Sequence, residues 1–351
     1  MLYFLTGLHR LRHNSQMKNI TTRMVTVVVA VRNEVKNIAG LLNDLHHQTY
    51  PKNKLQIIFA NDRSTDGTAD ILNEYSAKID NLSVVTIDKK SNQMTPKKNA
   101  LSKAIEQAIG ELIISTDGDC RVPTTWVESM VSTFNNDTGI VVGYSKIDAK
   151  SDNFFDHYQA VDFLALMTAN AGTLGWGNPW TGSGQNLAYR LSAYHNIDGF
   201  NPVAKRVSGD DHYLIDSISK IAKTRYNISP KSFVTTQPVE NTKQFISQRI
   251  RWASNTRNLF NTNWLFLSFL IITFLVNIII LTSYVNPALW SNLPMLIGVK
   301  FLIDSIVLFY GSNLFKTPVK IPVYLTWFFV QPVYIPLLGL LSSFGKYKWK
   351  N

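Results

Sequence analysis

From Asn258 to Val299 the chain carries no charged side chain, and within that window Trp264 to Tyr284 is almost wholly apolar. At about 1.5 Å per residue, a helix over this run is long enough to cross a hydrocarbon core of roughly 30 Å. It reads as a transmembrane helix. A second apolar segment, about Leu293 to Tyr310, carries Lys300 and Asp304, four apart on one helical face and able to pair inside a bundle. A third, Ile321 to Ser343, is interrupted by Gln331 and Pro332, which leaves two forms open: a kinked span or a re-entrant hairpin.

This apolar last quarter changes how the net charge of +11 is read. The basic residues sit early (Arg10, Arg12, Lys18, Arg23), before the first span (Arg249, Arg251, Arg257) and at the end (Lys346, Lys348, Lys350). That is the distribution of a membrane protein facing anionic headgroups, and it argues against nucleic acid as the partner. The positive-inside bias places the large polar domain in the cytoplasm and the Lys-free loop around Val285 to Asn292 outside, a multi-pass protein of the cytoplasmic membrane. Three full spans leave the basic C-terminus outside, which favours the hairpin for the third segment. Cys120 is the one cysteine, so no disulfide framework or thiolate zinc site is available. Met1 to Leu8 is apolar but short for a span. It reads as an interfacial anchor or the tail of a longer membrane segment.

The polar part opens on Val25 to Val31 (VTVVVAV), a β-branched run suited to a strand buried on both faces. Further strands are expected at Leu55 to Ala60, Ser83 to Ile87 and Glu111 to Thr116. They alternate with helices ending near Gln48, Lys78 and Ile109, and Ser64-Thr65-Asp66 supply N-cap chemistry for the second of these. Such alternation implies an α/β fold with a mostly parallel sheet, becoming mixed beyond residue 140. In such sheets ligands sit outside the carboxyl ends of the strands. The polar clusters at 32–34, 61–66 and 116–120 fall there. No GxGxxG or P-loop follows the first strand, which removes the main support for dinucleotide or P-loop binding. The organisation is therefore an N-terminal membrane-associated segment over 1–23, an α/β domain over 24–260 and a membrane region over 261–351.

Asp117 and Asp119 flank Gly118 at the end of a buried strand, where two carboxylates can reach one hard cation and its phosphates. Read alone, a D-G-D triplet is at least as often a turn. Asp62 can accept a hydrogen bond from a base imide or ribose hydroxyl, or cap a helix. Asp210 and Asp211 open a helix, where acidic side chains also simply complement the dipole. Gln248 and Arg251 are i, i+3 neighbours, and Arg251 can grip a diphosphate; a basic juxtamembrane helix is the plainer reading.

The ordered set is more specific than any member. Asn33-Glu34, ANDRSTDGT (Ala60 to Thr68), PKKNAL (Pro96 to Leu101), TDGDC (Thr116 to Cys120), TGSGQNLAYR (Thr181 to Arg190), SGDD (Ser208 to Asp211) and QRIRW (Gln248 to Trp252) follow one another. In this order they resemble family-2 glycosyltransferases of the GT-A fold, the group of cellulose, chitin and hyaluronan synthases and ceramide glucosyltransferase. The resemblance implies a Rossmann-like nucleotide-diphospho-sugar transferase domain followed by a C-terminal transmembrane helix bundle. It implies donor contacts at Glu34, Asp62 (the nucleobase), Lys98 with Lys97 as the alternative, Asp117 and Asp119. The last two would hold the diphosphate and a Mg2+ or Mn2+ ion. Asp211 would be the general base with Asp210 beside it, and Arg251 and Gln248 would steady the leaving diphosphate. Trp252, Trp180, Thr181 and Gly182 would meet the acceptor.

The implied reaction is a single in-line, inverting displacement that moves a sugar from a nucleotide diphosphate, UDP by family habit, to a lipid or lipid-linked glycan at the cytoplasmic face. Two or three spans are few for a synthase that also extrudes its polymer. A polysaccharide synthase subunit and a catalytically silent nucleotide-sugar sensor are the alternatives.

Overall fold

The computed structural model describes residues 2–14, 22–149, 152–254 and 264–344. Lys18, Arg257, Lys346, Lys348 and Lys350, part of the charge argument, lie outside them. The chain divides into two compact units. One comprises Thr6–Lys146 and Asn170–Gln237, and the other comprises Ile147–Ala169 and Pro238–Lys348 with Met1–Leu5. This division departs from the 24–260 and 261–351 segments read from hydropathy. The QRIRW segment and 147–169 are polar enough to look soluble, yet they group with the apolar helices.

After helix α1 (Leu2–Asn14), the first unit alternates β1 (Val25–Val31), α2 (Ile38–His46), β2 (Leu55–Asp62), α3 (Thr68–Ser76), β3 (Leu82–Ile87), α4 (Pro96–Ile105) and β4 (Leu112–Asp117). Next come β5 (Cys120–Arg121), α5 (Trp126–Ser132), β6 (Thr138–Gly143), β7 (Ser145–Ile147) and the long α6 (Phe154–Leu174), most of which belongs to the second unit. Then follow β8 (Leu187–Arg190), α7 (Leu191–Asn196), α8 (Asp210–Ser219), β9 (Lys223–Asn227) and β10 (Val234–Thr236). A seven-stranded sheet has the order β3-β2-β1-β4-β8-β6-β9, and a small sheet has the order β5-β10-β7. The pairs β1–β2, β2–β3, β1–β4 and β6–β9 are parallel, whereas β8 runs antiparallel to β4 and β6. The mixed pattern expected beyond residue 140 is this reversed strand.

Every residue of β1 is buried, as its unbroken β-branched run requires. Ile38, Leu41, Leu42 and Leu45 form one stripe of α2 and join Val27, Val29, Ile57 and Phe59 in the core. Register fixes the edge that matters for function. Val31 faces Asn61 and Ala30 faces Asp117, so the loops after β1, β2 and β4 leave the sheet side by side. At the start of α1's packing, a Cβ on Gly7 would lie 1.8 Å from the Gly172 carbonyl oxygen, and one on Gly175 1.9 Å from that of Gly7. Only glycine permits that backbone approach.

In the second unit α9 (Thr242–Ser254) precedes three long apolar helices, α10 (Trp264–Ser283), α11 (Leu293–Leu314) and α12 (Ile321–Phe344). Each is long and apolar enough to span a bilayer. Lys300 and Asp304 pair at 2.5 Å as their spacing suggests, and Lys300 also donates to Gln331 Oε1 at 2.6 Å. The third segment is one uninterrupted helix and not a hairpin, with Pro332 and Pro336 inside it. Gln331 finds its partner on α11, so the polar residue that looked like a break is a packing contact.

Candidate active site

The loop after β1 and the loop after β2 are stitched together by side chains. Asn33 N donates to Ser64 Oγ at 3.0 Å, Thr65 N to Asn33 Oδ1 at 2.9 Å, and Val35 N to Asp66 Oδ2 at 3.1 Å. Glu34 N donates to Thr68 Oγ1 at 2.8 Å. Ser64 and Thr65 therefore serve the loop and do not cap α3, whose first amide, Thr68 N, goes to Asp66 Oδ1 at 3.1 Å. The buried Glu34 side chain accepts from Asn37 Nδ2 at 2.9 Å, and a Cβ on Gly118 would lie 3.1 Å from Glu34 Cγ. Glu34 thus walls the D-G-D turn from below.

Asp62 is 1% exposed and takes a bidentate bond from Arg63, Nε at 2.8 Å and Nη2 at 2.9 Å, with Arg32 at 3.6 Å. Arg63 reaches back from a left-handed backbone conformation, φ 56°. Sequence reasoning named Asp62 but not the guanidinium that holds it.

The carboxylates of β4 and α8 meet around one ammonium. Lys97, in the first turn of α4, donates to Asp117 Oδ1 at 2.8 Å and lies 3.5 Å from Asp210 Oδ2. Lys98 is buried and spends its ammonium on the Arg206 carbonyl at 2.6 Å, so the lysine that faces the carboxylates is Lys97 and not Lys98. One residue along a helix turns a side chain by about a quarter of a circle or more, which a PKK motif alone does not resolve. Burial pulls the Lys97 pKa down, but the attraction of Asp117, then Asp210, outweighs it and leaves that pKa raised.

Gly209, at φ 82°, turns the chain into α8 and brings Asp210 and Asp211 to its start. Asp211 does more than complement the helix dipole. Its Oδ1 accepts from His212 N at 2.8 Å and its Oδ2 from Gly184 N at 2.9 Å. Burial and then the Asp210 charge raise its pKa, with Lys97 and the two amides pulling the other way. Lys97, Asp117, Gly184, Tyr189, Asp210 and Asp211 line a cavity of ≈ 10 Å³, room for about one water molecule. Gly184, from the GSG of the TGSGQ motif, was legible as a motif but not as the amide that fixes Asp211.

The acceptor expectations divide. Trp180 is 3% exposed and presents no open ring face for stacking. Gly182 packs against Ile215 and Val142, where a Cβ would lie 2.6 Å and 2.9 Å from their side chains. It shapes the strand approach and Thr181 precedes it. On α9, in the other unit, Trp252 is partly exposed and Gln248 Oε1 accepts from Arg249 Nη1 at 2.6 Å. Among the described residues the Arg251 guanidinium has no ion-pair partner.

Residues 26–208, just over half of the chain, match the profile described as Glycosyl transferase family 2. The chain belongs to that family. Among relatives of this glycosyltransferase, Glycosyltransferase AglE of Haloferax volcanii is 35% identical over 120 residues, 34% of this chain and 38% of the relative. Beta-monoglucosyldiacylglycerol synthase of Nostoc sp. is 29% identical over 155 residues, 44% of this chain and 32% of the relative. The matches thus span well under half of either relative. The solved mannosyltransferase PcManGT from Pyrobaculum calidifontis, in complex with GDP-Man and Mn2+, superposes with a TM-score of 0.60 at 17% identity, over 98% of this chain and 94% of that one. It supports a GT-A fold for the α/β part of the chain.

No cluster of three or more His, Cys, Asp or Glu side chains suited to a metal occurs among the described residues. The candidate donor set is instead two carboxylates, Asp117 and Asp119. That set fits Mg2+ or Mn2+, which take one or two carboxylates and complete their shells with substrate phosphates and water.

Proposed function

We propose that this family-2 enzyme is an inverting glycosyltransferase that moves a sugar from a nucleotide diphosphate, UDP first among candidates, to a lipid or lipid-linked glycan at the cytoplasmic face of a membrane. The observation that carries the reading is Asp211. It is a half-buried carboxylate with a raised pKa, held by two backbone amides at the pocket that Asp117 and Lys97 also line. A base so placed takes the acceptor hydroxyl proton as the acceptor oxygen bonds to the anomeric carbon. The bond from that carbon to the diphosphate oxygen breaks on the opposite face, and the stereocentre inverts.

Lys97 supplies positive charge beside the departing diphosphate, the role that the family resemblance also gives to Arg251. Asp117 and Asp119 would hold Mg2+ or Mn2+, which when bound neutralises charge on the phosphates. Asp62 would read the nucleobase, with Arg63 giving way or sharing it. The membrane acceptor is supported by the three long apolar helices and by the glucosyldiacylglycerol synthase among the relatives.

The decisive measurement is nucleotide diphosphate release by nanodisc-embedded protein across UDP- and GDP-sugars, with Mn2+ or Mg2+ and lipid extract. One donor should turn over, only with metal and lipid, and Asp211→Asn should lower the rate by about 10²–10⁴-fold. Nucleotide sugar that binds but stays intact with every acceptor extract would make the chain a sensor.

A further inference from the structure

The x residues of the QxxRW motif carry no role in the proposed reaction, yet Arg249 is, with Phe245, one of the two buried side chains of α9. It is 3% exposed, and its guanidinium touches every neighbour that matters. Nε donates to Asp162 Oδ2 at 2.6 Å and Nη1 to Gln248 Oε1 at 2.6 Å, and Cζ lies 4.3 Å over the Trp252 ring and 4.5 Å over Phe245. Asp162 in turn uses its other oxygen, Oδ1, to accept from Trp327 Nε1 of α12 at 3.2 Å. One turn before Asp162 on the same face of α6, Gln159 brackets Val239, accepting from its amide at 2.9 Å and donating to its carbonyl at 3.0 Å. So α6 holds the entry to α9 and its centre, and α12 holds the residue that holds the centre. All of these groups belong to one unit.

A charge buried this deeply is expensive unless paired, and a hydrophobic replacement of a buried pair is often no less stable. Its retention here has a chemical consequence at Gln248. An amide side chain has an acceptor end and a donor end, and which end faces outward is decided by its partners. Because Arg249 can only donate, Gln248 must turn its oxygen inward and present its NH2 group outward. Trp252, stacked on the same guanidinium, is fixed along with it.

We propose that Arg249 and Asp162 are positioning residues that set Gln248 as an outward-facing hydrogen-bond donor to a ligand oxygen and fix the Trp252 ring, with Trp327 tying this arrangement to α12. The inference rests on the transferase reading for what Gln248 and Trp252 meet, but the positioning itself is testable without turnover.

The protein has eight tryptophans, so 5-fluorotryptophan labelling in detergent gives a countable 19F spectrum, with Trp252 and Trp327 assigned by Trp→Phe variants. Arg249→Lys keeps the charge but loses the planar fork, and it should shift the Trp252 resonance. Asp162→Asn leaves one carbonyl oxygen for two donors and should shift Trp327 and Trp252 together. Trp126, bonded to Asn186 at 2.9 Å in the other unit, serves as the unmoved control. In the release assay both variants should lose kcat by about 10–100-fold, the usual cost of a displacement near 1 Å, with Mn2+-nucleotide affinity held.

Gln248→Glu completes the set. A carboxylate satisfies Arg249 at least as well but offers only an acceptor outward, so kcat should fall while the Trp252 resonance stays in place. Unmoved Trp252 and Trp327 resonances in Arg249→Lys and Asp162→Asn, or full kcat in Gln248→Glu, would overturn the proposal. Wild-type protein that turns over no donor would sink the transferase reading instead, and the 19F arm would still decide the positioning. If Asp162→Asn fails to fold, Arg249→Lys and Gln248→Glu carry the test.

Discussion

Replacing Lys97 by Met removes the ammonium shared by Asp117 and Asp210 and nearly preserves shape. At an effective dielectric constant of about 20, the separations of 2.8 Å and 3.5 Å correspond to gross attractions of about 6 and about 5 kcal/mol. Most of this is offset by the cost of taking the charges out of water, and the side chains remain 22%, 31% and 15% exposed, so the net loss is about 1–3 kcal/mol. For a unit of this size, at about 2–4 °C per kcal/mol, that lowers the apparent melting temperature by about 2–12 °C.

The sign with pH follows from the direction of the Lys97 shift. A lysine whose folded pKa is raised contributes fully below its ordinary value of about 10.4 and loses the contribution only as pH climbs through the folded value. The decrement should therefore be the same at about pH 6.5 and about pH 8.5, Lys97→Arg should restore most of it, and Mn2+ should stabilise Lys97→Met more than wild type by returning positive charge to Asp117. Scanning fluorimetry of the nanodisc-embedded proteins reads all of this. Equal melting temperatures for Lys97→Met and wild type at both pH values would refute the claim that Lys97 is the counter-charge of the cluster.

Because burial and the neighbouring Asp210 raise the Asp211 pKa, the acidic limb of kcat/KM should lie above the ordinary carboxylate range of about 4. Asp210→Asn should move that limb to lower pH, and a limb that stays or rises would show that Asp210 is not what raises it. Cys120 is fully buried, so introduced cysteines can report topology against little background. If the α/β unit lies in the cytoplasm and all three helices cross, as proposed, a membrane-impermeant maleimide should label Ser291→Cys and Asn351→Cys on intact cells and Thr242→Cys only after permeabilisation. Labelling of Thr242→Cys from outside would invert the orientation.

The first four strands were legible because each announces itself locally, whereas the short strands beyond residue 119 do not. VTVVVAV and LQIIFA can hardly be anything else, and the polar residues that end them mark the ligand edge without any tertiary knowledge. What stayed hidden depends on direction. Lys97 and Lys98 have the same chemistry and adjacent positions, and only the phase of α4 sends one to Asp117 and the other to the Arg206 carbonyl. Trp180 looked like a stacking platform by type, but burial decided otherwise. The third apolar segment looked broken because Gln331 and Pro332 are costly in an isolated helix. The partner that offsets the cost, Lys300, sits 31 residues earlier and invites pairing with its own helix neighbour first.

The same distinction explains why a motif such as QRIRW is read too sparsely from sequence. Gln248, Arg251 and Trp252 are the positions that chemistry suggests, because an amide, an exposed guanidinium and a ring are what a ligand can meet. Arg249 looks interchangeable with Arg251 in a string of letters, but helix phase turns one towards Asp162 and leaves the other without an ion-pair partner among the described residues. Two arginines two residues apart therefore differ in environment: one is spent on Asp162 and Gln248, and the other keeps its guanidinium for the ligand in the proposed reaction. Substituting each singly to lysine is conservative in charge and separates the two roles, since a lysine at 251 can still neutralise a diphosphate but one at 249 cannot donate to Asp162 and Gln248 at once in the planar geometry that fixes the amide.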